Sequence, residues 1–237
     1  MLSIIVPVYN EQNTIQFILK KLNALDIGKE IIVVNDGSQD ATQDKIDQIK
    51  KEINGIKIIN FKNNHGKGRA VREGIKIAQA EMIAIQDADL EYNPRDLVVL
   101  YNILKNSDAD AIYGIRFKKD SYSPLWHRLG NKLLSVATSI LYFQNILDME
   151  TCYKVIKRDV AVKLQLQSSG FEIEAEITAK LLRGGYKIIQ YPISYKFRSY
   201  GEGKKISWED GIKAIITLLK YRFRNLSGID TSCDNER

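Results

Sequence analysis

Apolar residues alternate along the first half of this chain between two periods, one of a buried strand and one of a helix face. Residues 2–9 (Leu-Ser-Ile-Ile-Val-Pro-Val-Tyr) are nearly all apolar and read as a buried strand, and Asn10-Glu11 follows. Ile15, Ile18, Leu19 and Leu22 then repeat at helical spacing. Residues 31–34 are a second apolar strand, closed by Asn35-Asp36-Gly37-Ser38, and Asp40-Ala41-Thr42 opens a helix carrying Ile46, Ile49 and Ile53. Residues 56–61 form a third strand, followed by Asn63-Asn64-His65-Gly66-Lys67-Gly68-Arg69 and a helix with Ala70, Ile75, Ile77 and Ala78. A fourth strand, Met82-Ile83-Ala84-Ile85, runs into Asp87-Ala88-Asp89-Leu90-Glu91 before Asn93-Pro94 ends the segment. This alternation predicts an α/β fold, a doubly wound and mostly parallel sheet with helices on both faces. Loops after successive strands then gather at one sheet edge, so residues near 7–11, 35–38, 64–69 and 87–91 meet.

The second half follows a different rhythm. Residues 97–104 read as a helix and 109–113 as a strand, followed by Gly114-Ile115-Arg116-Phe117 and a polar, mobile loop ending at Ser123-Pro124. Residues 125–147 show a long apolar surface with Arg128 and Lys132 near its start. Such a helix is either core or an amphipathic element lying on a membrane. Residues 148–158 read as a short strand returning to the sheet, and 174–182 as a helix closed by Arg183-Gly184-Gly185. Residues 186–197 are extended and interrupted by Pro192, as an edge strand or hairpin would be. A basic glycine-containing loop, 198–205, precedes a final helix over 208–223 whose cationic end suits the helix dipole. The tail, 225–237, is polar and reads as disordered, so 1–224 is expected to be one domain.

Composition narrows the class. The chain has 237 residues, 44% hydrophobic and 27% charged, ordinary for a globular protein. Its longest stretch without a charge, Leu133 to Leu147, is fifteen residues, too short to span a bilayer. No basic leader precedes the first strand, so no signal peptide is expected. Cys152 and Cys233 lie in dissimilar surroundings, which speaks against a disulfide and fits a reducing cytosol. His65 and His127 have no zinc-ligand spacing. The net charge of +6 favours an anionic partner: a phosphorylated substrate, an acidic membrane or nucleic acid.

Asp87, Asp89 and Glu91 are the main chemical signal. In an extended segment alternate residues point the same way, and three acids placed together repel unless a cation sits between them. Oxygen-only ligands suit Mg²⁺ or Mn²⁺. The plainer reading is a solvated acidic loop capping the next helix. Gly66-Lys67-Gly68 matches neither G-x-G-x-x-G nor a P-loop. Lys67 and Arg69 beside a helix start either meet a phosphate or are simply solvated.

Several segments together resemble a family. Pro7-Val8-Tyr9-Asn10-Glu11, Asn35-Asp36-Gly37-Ser38-Gln39-Asp40-Ala41-Thr42, Gly66-Lys67-Gly68-Arg69-Ala70 and Asp87-Ala88-Asp89 resemble, in order and spacing, the family-2 inverting glycosyltransferases. Gly114-Ile115-Arg116-Phe117, Asp148-Met149-Glu150-Thr151-Cys152-Tyr153-Lys154, Glu174-Ala175-Glu176-Ile177-Thr178 and residues 198–205 resemble the polyprenyl-phosphate branch, that of dolichyl-phosphate mannose synthases and polyprenyl-phosphate glucosyltransferases. Asn35 and Glu91 depart from the residues common there. The resemblance implies a GT-A fold, with residues 1–115 binding a nucleotide sugar (GDP-mannose or UDP-glucose) and 116–224 binding the acceptor. It implies that Pro7, Tyr9, Glu11, Asp36, Lys67, Asp87 and Ala88 hold the donor, and that Asp87, Asp89 and Glu91 bind Mg²⁺ or Mn²⁺. It implies that Arg116, Arg128, Arg198 and Lys204 clamp the acceptor phosphate, with Asp89 and Arg116 catalytic. The implied setting is the cytoplasmic membrane face, reached by peripheral contact or a membrane-anchoring partner, with no nucleic acid involved. Two other readings stay open: a hydroxyl acceptor with Asp148 or Glu174 as base, and a non-catalytic module docking on a membrane.

Overall fold

The computed structural model describes residues 1–116, 125–198, 205 and 207–224, with backbone only for 125–128. The expected loop over 117–124, the Arg128 side chain, Lys204 and the tail from 225 lie outside the described residues.

The elements run β1 (Leu2–Val8), α1 (Ile15–Asn23), β2 (Lys29–Asn35), α2 (Thr42–Lys50), β3 (Ile56–Asn60), α3 (Lys67–Ile77), β4 (Met82–Ile85), α4 (Pro94–Lys105), β5 (Ala111–Arg116), α5 (Leu125–Tyr142), β6 (Lys154–Lys157), α6 (Arg158–Lys163), α7 (Ile173–Arg183), β7 (Ile188–Ile193) and α8 (Trp208–Phe223). The sheet order is β3-β2-β1-β4-β6-β5-β7. All neighbouring pairs are parallel except β4–β6 and β6–β5. The mostly parallel sheet is therefore as expected, with one antiparallel strand set into it.

Every residue of β1 and β4 is buried, as β-branched runs in a sheet covered on both sides should be. Helix α1 contacts α2 and α4, while α3 packs on β1, β2 and α6, which places helices on both faces. Asn93 caps α4 by accepting from the Arg95 amide, with Pro94 at the first helical position, so the chain turns sharply beyond the acidic triplet. Among the described residues strand β7 pairs only with β5, and at that sheet edge Pro192 is tolerated.

One core cluster runs from Leu2 through Ile112 and Val155 to Ile193, joining both halves of the chain through the sheet. A second, smaller cluster joins α5, α7 and α8 through Leu134, Tyr142, Ala175, Ala179, Leu218 and Tyr221. The long apolar surface over 125–147 is not one helix, because α5 ends at Tyr142 and Phe143 takes a left-handed φ of 55°. One face of α5 is core; its other face leaves Leu129, Leu133, Val136, Ile140 and the following Phe143 exposed. Helix α8 likewise exposes Trp208, Ile212, Ile216, Leu219 and Phe223. Among the described residues, no helix is long and apolar enough to cross a membrane.

Candidate active site

The parallel strands β1, β2, β4, β5 and β7 all end at one sheet edge, where Tyr9, Asp36, Asp87 and Tyr195 follow and Arg116 is the last residue of β5. Strand β6 runs the other way, so its start brings residues 148–153 to the same edge. The sheet order reverses between β1 and β4, the position at which open α/β sheets form a crevice. A cavity of about 340 Å³ lies there. It is lined by Pro7, Tyr9, Glu11, Asp36, Lys67, Asp87, Ala88, Asp89, Glu91 and Arg116, and also by Asn64, Glu150, Phe171, Glu174, Tyr195 and Lys205.

Buried Asp36 accepts hydrogen bonds from the amides of His65 and Gly66, both at 2.7 Å, and thereby fixes the turn that starts α3. That turn also lies against residues 168–170: the Arg69 amide donates to the Ser169 carbonyl at 3.1 Å. A Cβ on Gly66 would stand 2.4 Å from Ser169 O, and one on Gly68 would stand 2.6 Å from Ser168 O. The glycines of Gly66-Lys67-Gly68 therefore serve close backbone packing, and the amides of His65, Gly66 and Arg69 are taken by protein groups.

Lys67 turns inward instead of into solvent. Its ammonium lies 2.8 Å from Asp87 Oδ1 and 3.0 Å from Glu174 Oε1. Burial works to lower its pKa, but the charge of Asp87, followed by other groups including Glu174, outweighs burial and holds it well above the ordinary value. Fully buried Lys154 donates to the other Glu174 oxygen at 2.5 Å and to the Thr151 and Met149 carbonyls. Asp87, Lys67, Glu174 and Lys154 thus form a chain of alternating charge along the cavity wall.

The acidic triplet is a turn and not an extended segment, because Leu90 adopts φ of 65°. The Glu91 carboxylate accepts from the Tyr195 hydroxyl at 2.9 Å and from the Arg198 amide at 2.8 Å. Asp89 accepts only from the Glu91 amide, at 3.1 Å, in the described contacts. Burial, reinforced by Asp87 and Glu91, pushes its carboxyl up to about 7. Among the described residues, no three His, Cys, Asp or Glu side chains are already gathered as a metal cage. The donor chemistry nonetheless fits a hard divalent cation, since Asp87 and Asp89 offer oxygen ligands with excess negative charge. Mg²⁺ typically keeps several waters and completes its shell from substrate phosphates, so a full protein cage is not required.

On the second-half side, Arg116 makes a bidentate pair with Asp148, Nε to Oδ2 at 2.7 Å and Nη2 to Oδ1 at 2.6 Å. Its guanidinium also lies 5.3 Å from the Tyr195 ring centroid. That arrangement leaves Nη1 outside the carboxylate pair. Arg198 crosses to the first half: its Nη1 donates to both Glu11 oxygens, at 2.9 and 3.1 Å. Lys205 joins Glu11 at 2.7 Å and donates to the Tyr9 carbonyl. Arg116 therefore lines the cavity on Asp148, whereas Arg198 is engaged with Glu11 and is not among the lining residues.

All nine residues singled out from the sequence as donor or metal contacts line this one cavity, and Arg116 makes a tenth. Glu150, Phe171, Tyr195 and Lys205 also line the cavity, with no site role expected from the sequence. Glu150 sits inside the quoted segment 148–154, and only the antiparallel direction of β6 brings that segment to the site. Phe171 and Tyr195 had no distinguishing pattern of their own.

Comparison with known proteins accords with this geometry. The sequence model described as Glycosyl transferase family 2 matches residues 3–164. A dolichol-phosphate mannosyltransferase of Pyrococcus furiosus is 27% identical over 250 residues, covering 96% of this chain and 69% of that protein. The low-salt glycan biosynthesis hexosyltransferase Agl6 of Haloferax volcanii is 27% identical over 226 residues, covering 92% of this chain. The chain spans only about half of that relative, 53%. Among solved structures, glucosyl-3-phosphoglycerate synthase of Mycobacterium tuberculosis, in complex with Mn²⁺, UDP and glucosyl-3-phosphoglycerate, superposes with a TM-score of 0.72 at 16% identity, over 93% of this chain and 79% of that one. The fold is the GT-A fold of that structure.

Proposed function

The chain belongs to glycosyl transferase family 2, and on that premise we propose that it moves a hexose from a nucleotide diphosphate sugar to a polyprenyl phosphate at a membrane surface. The observation that carries this reading is the convergence on one cavity of Asp87 and Asp89, from the β4 edge, with Arg116 from the β5 edge. The first pair suits a donor diphosphate with its cation, and the last suits an anionic acceptor. The names of the Pyrococcus and Haloferax relatives point the same way.

Pro7, Tyr9, Glu11 and Asp36 would bound the nucleoside. Asp87 and Asp89 would hold Mg²⁺ or Mn²⁺, whose charge, when bound, offsets that developing on the leaving nucleoside diphosphate. Lys67, anchored between Asp87 and Glu174, adds a fixed positive charge on the same wall. Arg116, oriented by Asp148, presents its remaining N–H groups to the acceptor phosphate. A phosphate monoester has a second pKa of about 6, so at neutral pH it is already largely dianionic and attacks without a protein base. Catalysis is then positioning and charge neutralisation.

A hydroxyl acceptor would need a carboxylate base. Asp148 is held bidentately by Arg116, and Glu174 by Lys154 and Lys67, so both carboxylates nominated for that role are already engaged. The lipid reading draws further support from α5 and α8, which pack together and carry exposed apolar stripes ending in Phe143, 82% exposed, and Phe223, 76% exposed. Exposed Lys132, Lys213 and Lys220 accompany those stripes, the combination that seats a helix pair on an anionic bilayer. Peripheral attachment through this face replaces the need for a spanning helix within the described residues.

The reading is tested by incubating the protein with labelled GDP-mannose or UDP-glucose, polyprenyl phosphate vesicles and Mg²⁺ or Mn²⁺. Label should enter the organic phase and be lost with Asp89→Ala. Label transferred only to water-soluble hydroxyl acceptors would favour the alternative.

A further inference from the structure

Glu150 is a carboxyl group of the cavity that the proposed reaction leaves without a task. It lies on the segment between Asp148 and β6 and lines the cavity alongside Arg116 and Glu174. Its Oε1 is buried and, among the described residues, has no hydrogen-bond partner. Cations stand nearby, yet their described contacts go elsewhere: Arg116 to Asp148, Lys154 to Glu174 and two carbonyls, Lys67 to Asp87 and Glu174. Burial pushes the Glu150 carboxyl up to about 7, against the opposing pull of Lys154 and Arg116. A buried carboxyl oxygen with no protein partner is costly, and such groups are kept where a ligand completes them.

Its place narrows the ligand. The diphosphate end of the cavity is served by Lys67, Asp87 and Asp89, and an acidic residue repels phosphate oxygens. What a carboxylate binds well is a hydroxyl donor. Resting on the nucleotide-sugar reading above, we infer that Glu150 accepts a hydrogen bond from a hydroxyl of the transferred hexose, and so selects the sugar without contributing to nucleotide binding. A hydrogen bond to a charged group contributes roughly 1.5–3 kcal/mol, which corresponds to about a ten- to hundredfold preference for a donor bearing the correctly placed hydroxyl.

The test uses the full chain with Mg²⁺ and compares wild type, Glu150→Gln and Glu150→Ala by calorimetry and thermal melting. Nucleoside diphosphate should bind all three alike. The parent nucleotide sugar should bind Glu150→Ala about ten- to hundredfold more weakly, with a smaller loss for Glu150→Gln. A series of deoxy-sugar donors should contain one whose binding is insensitive to both substitutions. Both variants should melt at or above the wild-type temperature, because an unpartnered carboxyl is removed. Equal nucleotide-sugar binding by all three proteins would overturn the inference and leave the transferase reading intact. So would a turnover loss in Glu150→Gln with unchanged donor binding, which indicates a base, or a marked fall in melting temperature, which indicates a structural role. Failure of the wild type to bind any nucleotide sugar would instead overturn the transferase reading on which the inference rests.

Discussion

The ammonium of Lys67 sits 2.8 Å from the carboxylate of Asp87, at the position where the donor diphosphate and its cation are proposed to bind. Asp87 therefore has a protein counter-ion before any ligand arrives. The same ammonium touches Glu174, so one lysine balances two acids that are both mostly buried.

Replacing Lys67 with Met strands that negative charge. Removing one partner of a buried pair typically costs about 3–5 kcal/mol, and the partial exposure of Asp87 reduces this to about 2–3 kcal/mol. Lys67→Met should melt well below wild type in chelator and recover more than wild type when Mg²⁺ is added, since the ion takes over the balancing role. Scanning fluorimetry with and without Mg²⁺ measures both. An unchanged melting temperature would show that the pair contributes nothing.

Gly68→Ala should disturb the same wall by sterics alone. The added methyl would meet the Ser168 carbonyl at 2.6 Å and the Gly170 carbonyl at 2.9 Å, and both are backbone atoms that cannot swing away. Overpacking of this kind costs about 1–3 kcal/mol. Chemical denaturation should show that loss, together with weaker nucleoside diphosphate binding as residues 66–67 shift.

How much of this was legible in the sequence follows from range. The strands β1 to β4 and their intervening helices declared themselves because their apolar periods are local, and the acids at the end of β4 came with them. Glu11, Asp36 and Lys67 were reached through motif resemblance, and the sheet order then explains why they meet. The partners were hidden: that Lys67 would turn to Glu174, or Arg198 to Glu11, depends on contacts across more than a hundred residues. The geometry of Asp87-Ala88-Asp89-Leu90-Glu91 also escaped, since nothing in the apolar residue Leu90 announces a left-handed backbone. Glu150 carries no site signal in the sequence, because only the antiparallel direction of β6 brings it to the cavity.

A pH-dependent element lies at the opposite end of the sheet. Partial burial works to raise the pKa of Glu30, but hydrogen bonds from Lys57, Ser3 and the amides of Gln79 and Ala80 outweigh it and hold the carboxyl at about 2. A folded value below the unfolded value stabilises above the unfolded pKa and is lost as pH falls through the folded one. Glu30→Gln should therefore be less stable by about 1–2 kcal/mol at pH 7. The gap to wild type should hold down to about pH 5 and close towards pH 2, as followed by urea denaturation across that range. A gap that widens on acidification would contradict the assignment.

The apolar stripes make a separate prediction. Leu133 and Ile216 are exposed, so Leu133→Glu with Ile216→Glu should change stability by no more than about 0.5 kcal/mol each. Sedimentation with vesicles containing anionic lipid should nevertheless fall severalfold for the double variant, while nucleoside diphosphate binding stays at the wild-type level. Undiminished sedimentation would remove this face from the account.

The central claim is tested most directly by hexose transfer to a polyprenyl phosphate. With a labelled nucleotide sugar, vesicles and Mg²⁺ or Mn²⁺, the wild-type chain should yield an organic-soluble, acid-labile product, and Asp89→Ala should reduce its formation by at least about a hundredfold, the loss of roughly 3 kcal/mol of transition-state stabilisation. No lipid-soluble product with any common donor, or undiminished transfer by Asp89→Ala, would contradict it.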